Sequence, residues 1–255
     1  MTETTFYYGL LIGFTAVALL TFPVLFFVTA PYGRHAREGW GPKINSTLGW
    51  IGMEAPSPII FAACFAIGDR KVDPASWIFL LLWEAHYVYR AFVFPFRRRG
   101  GQPDMPLSIA ASGFMFNAIN GYLNGRYLFS FNPPHLASGA WTSDPRLYLG
   151  IALFAAGYAI NHHADRVLMN LRKPGETGYK IPHGGLYRFI SCPNYFGEIV
   201  EWFGWALLTW SPAGLVFAVW TTANLLPRAI SHHAWYKERF PDYPRERKAL
   251  VPLIL

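Results

Sequence analysis

An all-α protein that crosses a membrane several times is the fold class this sequence predicts, and three observations carry that prediction. Apolar residues fill 53% of the 255 positions and arrive in long runs, not in amphipathic stripes. Charged residues make up only 15%, where soluble domains carry about 25%. Lys and Arg are distributed very unevenly between the runs. The formal net charge of +7 therefore reports topology before it reports a nucleic-acid partner, and no basic groove interleaved with aromatics is present to argue for one.

Seven runs qualify as spans, roughly 6–29, 48–67, 76–94, 105–129, 146–170, 195–211 and 213–238. The first begins within MTETTFYYG, which lacks the basic leader of a cleaved signal peptide, so it is expected to stay as a helix. The second contains Glu54 just before Pro56 and Pro58, which should interrupt regular helix there. The third carries Glu84, His86, Tyr87 and Arg90. The fourth carries Asn117, Asn120 and Asn124, whose amides suit either helix–helix contact or a ligand. The sixth and seventh are separated only by Ser211-Pro212 and should form a tight hairpin. Nothing divides the chain, so residues 1–255 are expected to form a single transmembrane domain, and a monomer is expected.

Charge then sets orientation. Arg34, Arg37 and Lys43, the Arg97–Arg98–Arg99 run, the cations between spans five and six and those of the C-terminal tail all fall on one side. The opposite side has Arg70, Lys71 and Arg146. The rule that cytoplasmic loops are the basic ones places the N-terminus outside and the C-terminus in the cytoplasm.

The most polar stretch in this apolar chain is 161–201. If its first part is helical, Asn161, Asp165 and Arg172 fall within roughly 40° of one another at about 100° per residue. A helix starting near Pro193 would put Asn194, Glu198 and Glu201 on one face. Between them runs a loop punctuated by Pro174, Gly175, Gly178, Pro182, Gly184 and Gly185. The arrangement reads as a ligand cradle or as a solvated loop, and carboxylates inside apolar helices favour the cradle. In the last span Arg228, His232 and Tyr236 recur every four residues, facing the same place. Glu54 reads either as a cavity-lining carboxyl or as an interface residue near a helix end.

Eight histidines raise the question of metal, but the pairs His162–His163 and His232–His233 lack the further histidines of membrane di-iron boxes, and no metal is expected. No glycine-rich turn follows a strand, so a nucleotide would have to be held by helices and loops. The two cysteines, Cys64 and Cys192, read as packing residues.

The segments LRKPGETGYKIPHGGLYRFISCPNYFGEIVEW, RAISHHAWY and YPRERKALVPLIL, with MEAPS and HYVYRAFVF upstream, resemble the steroid 5α-reductase family over nearly the whole chain. The match is closest from about 157 onward. PNYFGE alone also occurs in Δ14- and Δ7-sterol reductases and, in related form, in isoprenylcysteine methyltransferases. Glu54 and Tyr87 narrow it, and the pattern is similar to the mammalian type-2 enzyme. The resemblance implies NADPH-dependent reduction of the C4–C5 double bond of a lipophilic 3-oxo-Δ4-steroid such as testosterone or progesterone. It implies that Glu54 and Tyr87 grip the 3-oxo group with Met53 beside them. It implies that Asn161, Asp165, Arg172, Tyr179, Lys180, Asn194, Glu198, His232 and Tyr236 surround NADPH, with Arg90, Asn120 and Arg228 as further cofactor candidates. The 1–130 part would then face substrate and the 145–255 part the cofactor. The membrane would be the endoplasmic reticulum in a eukaryote or the cytoplasmic membrane in a bacterium. Met53 stands where that enzyme has Gln, Phe94 where it has Tyr, Lys180 where it has Arg, and Ser112 where an Arg is expected, which bears on substrate preference. Reduction of a polyprenol or an enoyl thioester, or methyl transfer from S-adenosylmethionine, are the alternatives.

Overall fold

The computed structural model describes residues 2–70, 73–98, 104–131, 133–137, 140–173, 176 and 178–255. Among the expected features, Lys71, Arg99, Pro174 and Gly175 lie outside the described residues.

The helices are α1 (Glu3–Phe27), α2 (Ser46–Glu54), α3 (Pro56–Ile67), α4 (Pro74–Val88), α5 (Phe94–Arg97), α6 (Leu107–Phe129), α7 (Pro134–Ala137), α8 (Pro145–Asn170), α9 (Pro193–Thr209) and α10 (Pro212–Arg239). Among the described residues, three stretches are long and apolar enough to cross a membrane: Glu3–Phe27, Ser46–Ile67 and Pro212–Arg239. Among the described residues the strands are one two-residue antiparallel pair, Lys43–Ile44 with Met105–Pro106, beside an isolated bridge between Ile190 and Lys248.

Local chemistry sets the boundaries. Asn45, Asp73 and Asp144 cap α2, α4 and α8 by accepting from backbone N–H groups one or two residues into each helix. Pro56 occupies the first turn of α3, where its missing N–H costs nothing, and Ala55 stays helical. The proline interruption is therefore a change of helix at one residue, milder than the sequence suggested. The α9–α10 hairpin forms as expected: Trp210 ends α9 in the left-handed conformation (φ 45°), and Ser211 Oγ accepts from Gly214 N. Beyond α4 the backbone widens into a π-helical turn at Tyr89–Val93 before α5, a local change of pitch that re-aims side chains. One helical expectation fails: α8 stops at Asn170, so Arg172 lies past the helix and not on its polar face.

The tightest packing is between α8 and α9. Gly150 and Gly157 lie one heptad apart on α8, and Gly197 and Gly204 do the same on α9. A Cβ at Gly157 would sit 2.3 Å from the Glu201 amide nitrogen and 2.5 Å from the Gly197 carbonyl. At Gly204 it would sit 2.4 Å from the Phe154 nitrogen. Close backbone approach through small residues is how helices associate where no hydrophobic drive exists between them. Beside this seam a cluster of aromatic rings joins α3, α4, α9 and α10: Phe61 stacks on Trp83 at 4.4 Å, and Trp202 meets Phe217 at 4.2 Å. α1 leans on α10 and α6, with Trp220 Nε1 donating to the Phe14 carbonyl and Tyr7 OH to the Leu123 carbonyl. Its other side leaves Ile12, Leu20 and Phe27 exposed, an apolar surface suited to lipid.

Replacing Gly157 by Ala forces two backbones apart. It is expected to destabilise the protein by roughly 1–3 kcal/mol, typical of overpacking, seen as a lower thermal midpoint in detergent. Gly9→Ala, where a Cβ meets nothing, leaves the midpoint unchanged. Equal midpoints for the two variants would contradict the seam.

Candidate active site

The α8–α9 seam brings two polar faces into register. Asn161 and Asp165 lie one turn apart on α8, and Asn194 and Glu198 one turn apart on α9. Asn161 Nδ2 donates to the Asn194 carbonyl at 3.0 Å and to Glu198 Oε2 at 3.3 Å. Asn194 Nδ2 donates to Asp165 Oδ1 at 3.3 Å. The π turn brings in Arg90, whose Nη1 donates to Asp165 Oδ2 at 3.3 Å and whose guanidinium lies over the rings of Trp50 (5.0 Å) and Phe94 (4.4 Å).

This polar network forms one wall of an open cleft with a cavity volume of about 230 Å³. Arg172, Tyr179 and Lys180, from the loop after α8, line a second wall, and Arg228, His232 and Tyr236 of α10 a third. The four-residue recurrence on α10 thus points where the sequence suggested. Lys180 Nζ pairs with Glu176 at 2.5 Å. The cleft therefore gathers cations, carboxylates and amides around one space.

A fourth wall was not read from the sequence. Tyr32, Gly33 and Arg34, between α1 and α2, close over the cleft. Arg228 holds them: it donates to the carbonyls of Ala30 (3.3 Å) and Tyr32 (3.1 Å), and its guanidinium lies 3.7 Å from the Tyr32 ring centre. Arg34 sits among Tyr179, Trp235 and Tyr236, within 5.4 Å of each ring, and its buried Nη1 has no hydrogen-bond partner. His35 shares a 3.0 Å hydrogen bond with His232. Burial, then the Arg228, Arg34 and Arg37 guanidiniums, push the His35 imidazole down to about 4, so it is neutral at physiological pH. In the sequence this segment shows only as a basic loop, Arg34 and Arg37 among its cations.

Deeper in, one turn beyond Trp50 on α2, stands half-buried Glu54. Asn117 of α6 donates to the Met53 carbonyl at 2.8 Å and to Glu54 Oε2 at 3.4 Å. Asn120, one turn along α6, donates to the hydroxyl of buried Tyr87 at 3.4 Å. Asn120 is therefore away from the cleft walls and on Tyr87. Asn124 donates to Asn120 Oδ1 and accepts from Trp205 Nε1, so these two asparagines tie the Tyr87 hydroxyl to α9. The Met53 side chain lies on Gly113, leaving no room for a Cβ there. Ser112 turns away, its hydroxyl donating to the Ser108 carbonyl. Cys64 and Cys192 are buried and unpaired, and burial pushes the Cys192 thiol up to about 12. Among the described residues no group of three or more His, Cys, Asp or Glu could hold a metal ion.

Arg228→Leu removes two charge-assisted hydrogen bonds, each worth roughly 1.5 kcal/mol or more. Amide hydrogen exchange across 30–36 is expected to speed up by about tenfold or more, with α8 and α9 unaffected. Unchanged exchange there would show that Arg228 does not hold the segment.

Comparison with known proteins shows the family. A family model described as 3-oxo-5-alpha-steroid 4-dehydrogenase matches residues 103–255. The chain is 41% identical to the steroid 5-alpha-reductase DET2 of Gossypium hirsutum, over 99% of this chain and 98% of that protein. It is 44% identical to 3-oxo-5-alpha-steroid 4-dehydrogenase 1 of Bos taurus, over 94% and 93% of the two chains. The corresponding Homo sapiens protein is 41% identical over 88% and 85%. Matches of this extent, running from the Glu54 helix to the tail, make the chain a member of the steroid 5-alpha-reductase family and an oxidoreductase of that type.

Proposed function

We propose that the protein uses NADPH to reduce the C4–C5 double bond of 3-oxo-Δ4-steroids, giving 5α-dihydrosteroids, with Tyr87 and Glu54 acting on the 3-oxo group. The observation that carries this reading is the pair itself. A tyrosine hydroxyl and a carboxyl are each held by an α6 asparagine, and each follows or precedes by about one turn a residue, Trp50 or Arg90, that lines a cleft of cations, carboxylates and amides.

The cleft residues fit the cofactor by their chemistry. Arg172 and Lys180 suit the diphosphate and 2′-phosphate, and Arg34, with an unpartnered buried nitrogen, adds a further donor. Asp165 and Glu198 suit ribose hydroxyls, and Asn161 and Asn194 suit those hydroxyls or the carboxamide. Arg90 and Arg228 join them, and Tyr179, His232 and Tyr236 supply flat surfaces and hydrogen bonds. When bound, NADPH supplies a hydride to the β-carbon of the enone.

This chain's part is to stabilise what that addition creates. Negative charge builds on the 3-oxo oxygen, and a preorganised donor in a dry pocket is the most effective response. The Tyr87 hydroxyl donates there, and Glu54 donates as a neutral acid or orients Tyr87. Water protonates the α-carbon. Asn117 and Asn120 hold the two groups in place, and Met53 contributes an apolar wall to the substrate side.

The protein is an integral membrane enzyme in this reading, with seven spans, the N-terminus outside and the cleft open to the cytoplasm. The 1–130 part forms the substrate side and the 145–255 part the cofactor side. Steroid enters from the lipid. Reduction of a polyprenol or an enoyl thioester is the competing substrate assignment, favoured by Met53 and Ser112 standing where the mammalian type-2 enzyme has polar or charged groups. Methyl transfer falls with the family assignment.

Tyr87→Phe and Glu54→Gln are each expected to lower steroid-dependent NADPH oxidation by about a hundredfold or more, with unchanged thermal midpoints. Wild-type turnover in both would remove the pair from the chemistry.

A further inference from the structure

Glu201 has no part in the cleft. It lies on α9 three residues after Glu198 and is completely buried. Its Oε1 is 2.8 Å from His86 Nδ1, and its Oε2 has no hydrogen-bond partner. A carboxyl placed in an apolar interior with one oxygen unmatched is costly, and a hydrocarbon side chain would fill the position more cheaply. Packing alone gives no reason for it. What it holds is His86, the residue immediately before Tyr87 on α4.

We propose that the Glu201–His86 pair is the positioning device for Tyr87, fixing the depth and rotation of its hydroxyl relative to the cofactor cleft. The inference rests on the reading of Tyr87 as donor to the enone oxygen. The His86 ring sits 5.0 Å from the Tyr87 ring and 4.6 Å from that of Trp202, the neighbour of Glu201. Tyr87 in turn meets Trp202 at 5.7 Å. The pair thus ties α4 to α9 within one residue of Tyr87, just before the π turn at Tyr89–Val93 would let the helix shift pitch.

Asn120 cannot do this alone. Its contact to the Tyr87 hydroxyl is long, 3.4 Å, and gives direction more than distance. α9 supplies the distance. At one point along it Glu198 accepts from Asn161 in the cleft wall, and less than one turn later Glu201 holds His86. One rigid helix, clamped to α8 by glycines, therefore spaces the group that receives charge from the face that presents the hydride. Misplacement of a reacting group by about 1 Å costs on the order of a hundredfold in rate.

The test is a double-mutant cycle on single-turnover reduction at saturating NADPH and testosterone. Glu201→Leu is expected to slow the step by about tenfold or more, with the NADPH dissociation constant and steroid KM within about twofold of wild type. Glu201→Gln keeps a hydrogen bond to His86 and restores most of the rate. In a Tyr87→Phe background Glu201→Leu adds no further loss, because the residue it positions is gone. If Glu201→Leu gives no folded protein, His86→Leu carries the same comparison. Equal losses in both backgrounds, an unchanged rate, or a Gln variant as slow as Leu would overturn the positioning role and leave Tyr87 in place. A Tyr87→Phe enzyme as fast as wild type would instead overturn the reading of Tyr87, and the positioning role with it.

Discussion

The contact between α8 and α9 is the constraint on which the rest of the structure depends. Four glycines let the two backbones approach until no Cβ fits between them. That approach brings Asn161 within hydrogen-bond reach of the Asn194 carbonyl and Glu198, and Asp165 within reach of the Asn194 amide. A wider crossing would leave two carboxylates and two amides facing lipid or one another across a gap, at a cost of several kcal/mol per unmatched group. The seam satisfies a polar cluster within the helix pack, and the cluster walls the cleft.

From that wall the structure separates two tasks. On the open side, cations and aromatic rings from three loops and helices surround a space suited to a long anionic ligand. Away from the cleft walls, the Glu54 carboxyl and the Tyr87 hydroxyl each meet an α6 asparagine, and the Tyr87 ring packs on Trp83, His86 and Trp202. A charged ligand needs an aqueous entrance, and an enone oxygen gaining charge needs a dry one. α9 borders both, with Glu198 facing the cleft and Glu201 facing His86.

Much of this was legible because polar residues in apolar helices are conspicuous. Asn161, Asp165, Asn194 and Glu198 stood out by their cost, and Arg228, His232 and Tyr236 by their recurrence. Arg172 was placed on the α8 face because periodicity gives no stop signal there. The helix ends at Asn170, and Arg172 lines the cleft from the loop instead. Tyr32, Gly33 and Arg34 went unread because a short irregular loop has no period, and its partners lie almost two hundred residues away along the chain. The π turn after Tyr87 leaves no composition signal. The heptad spacing of Gly150 with Gly157 and of Gly197 with Gly204 was present in the sequence and would have pointed to the seam.

The most direct test of the account follows the hydrogen itself. Purified protein is given NADPH deuterated at the transferring position of the nicotinamide, together with testosterone, and the product is analysed by mass and NMR spectroscopy. The account predicts a 5α-dihydrosteroid carrying one deuterium at C5, the β-carbon of the former enone, with the hydrogen at C4 drawn from water. Deuterium at C4, a 5β product, or NADPH left unoxidised while bound would contradict it.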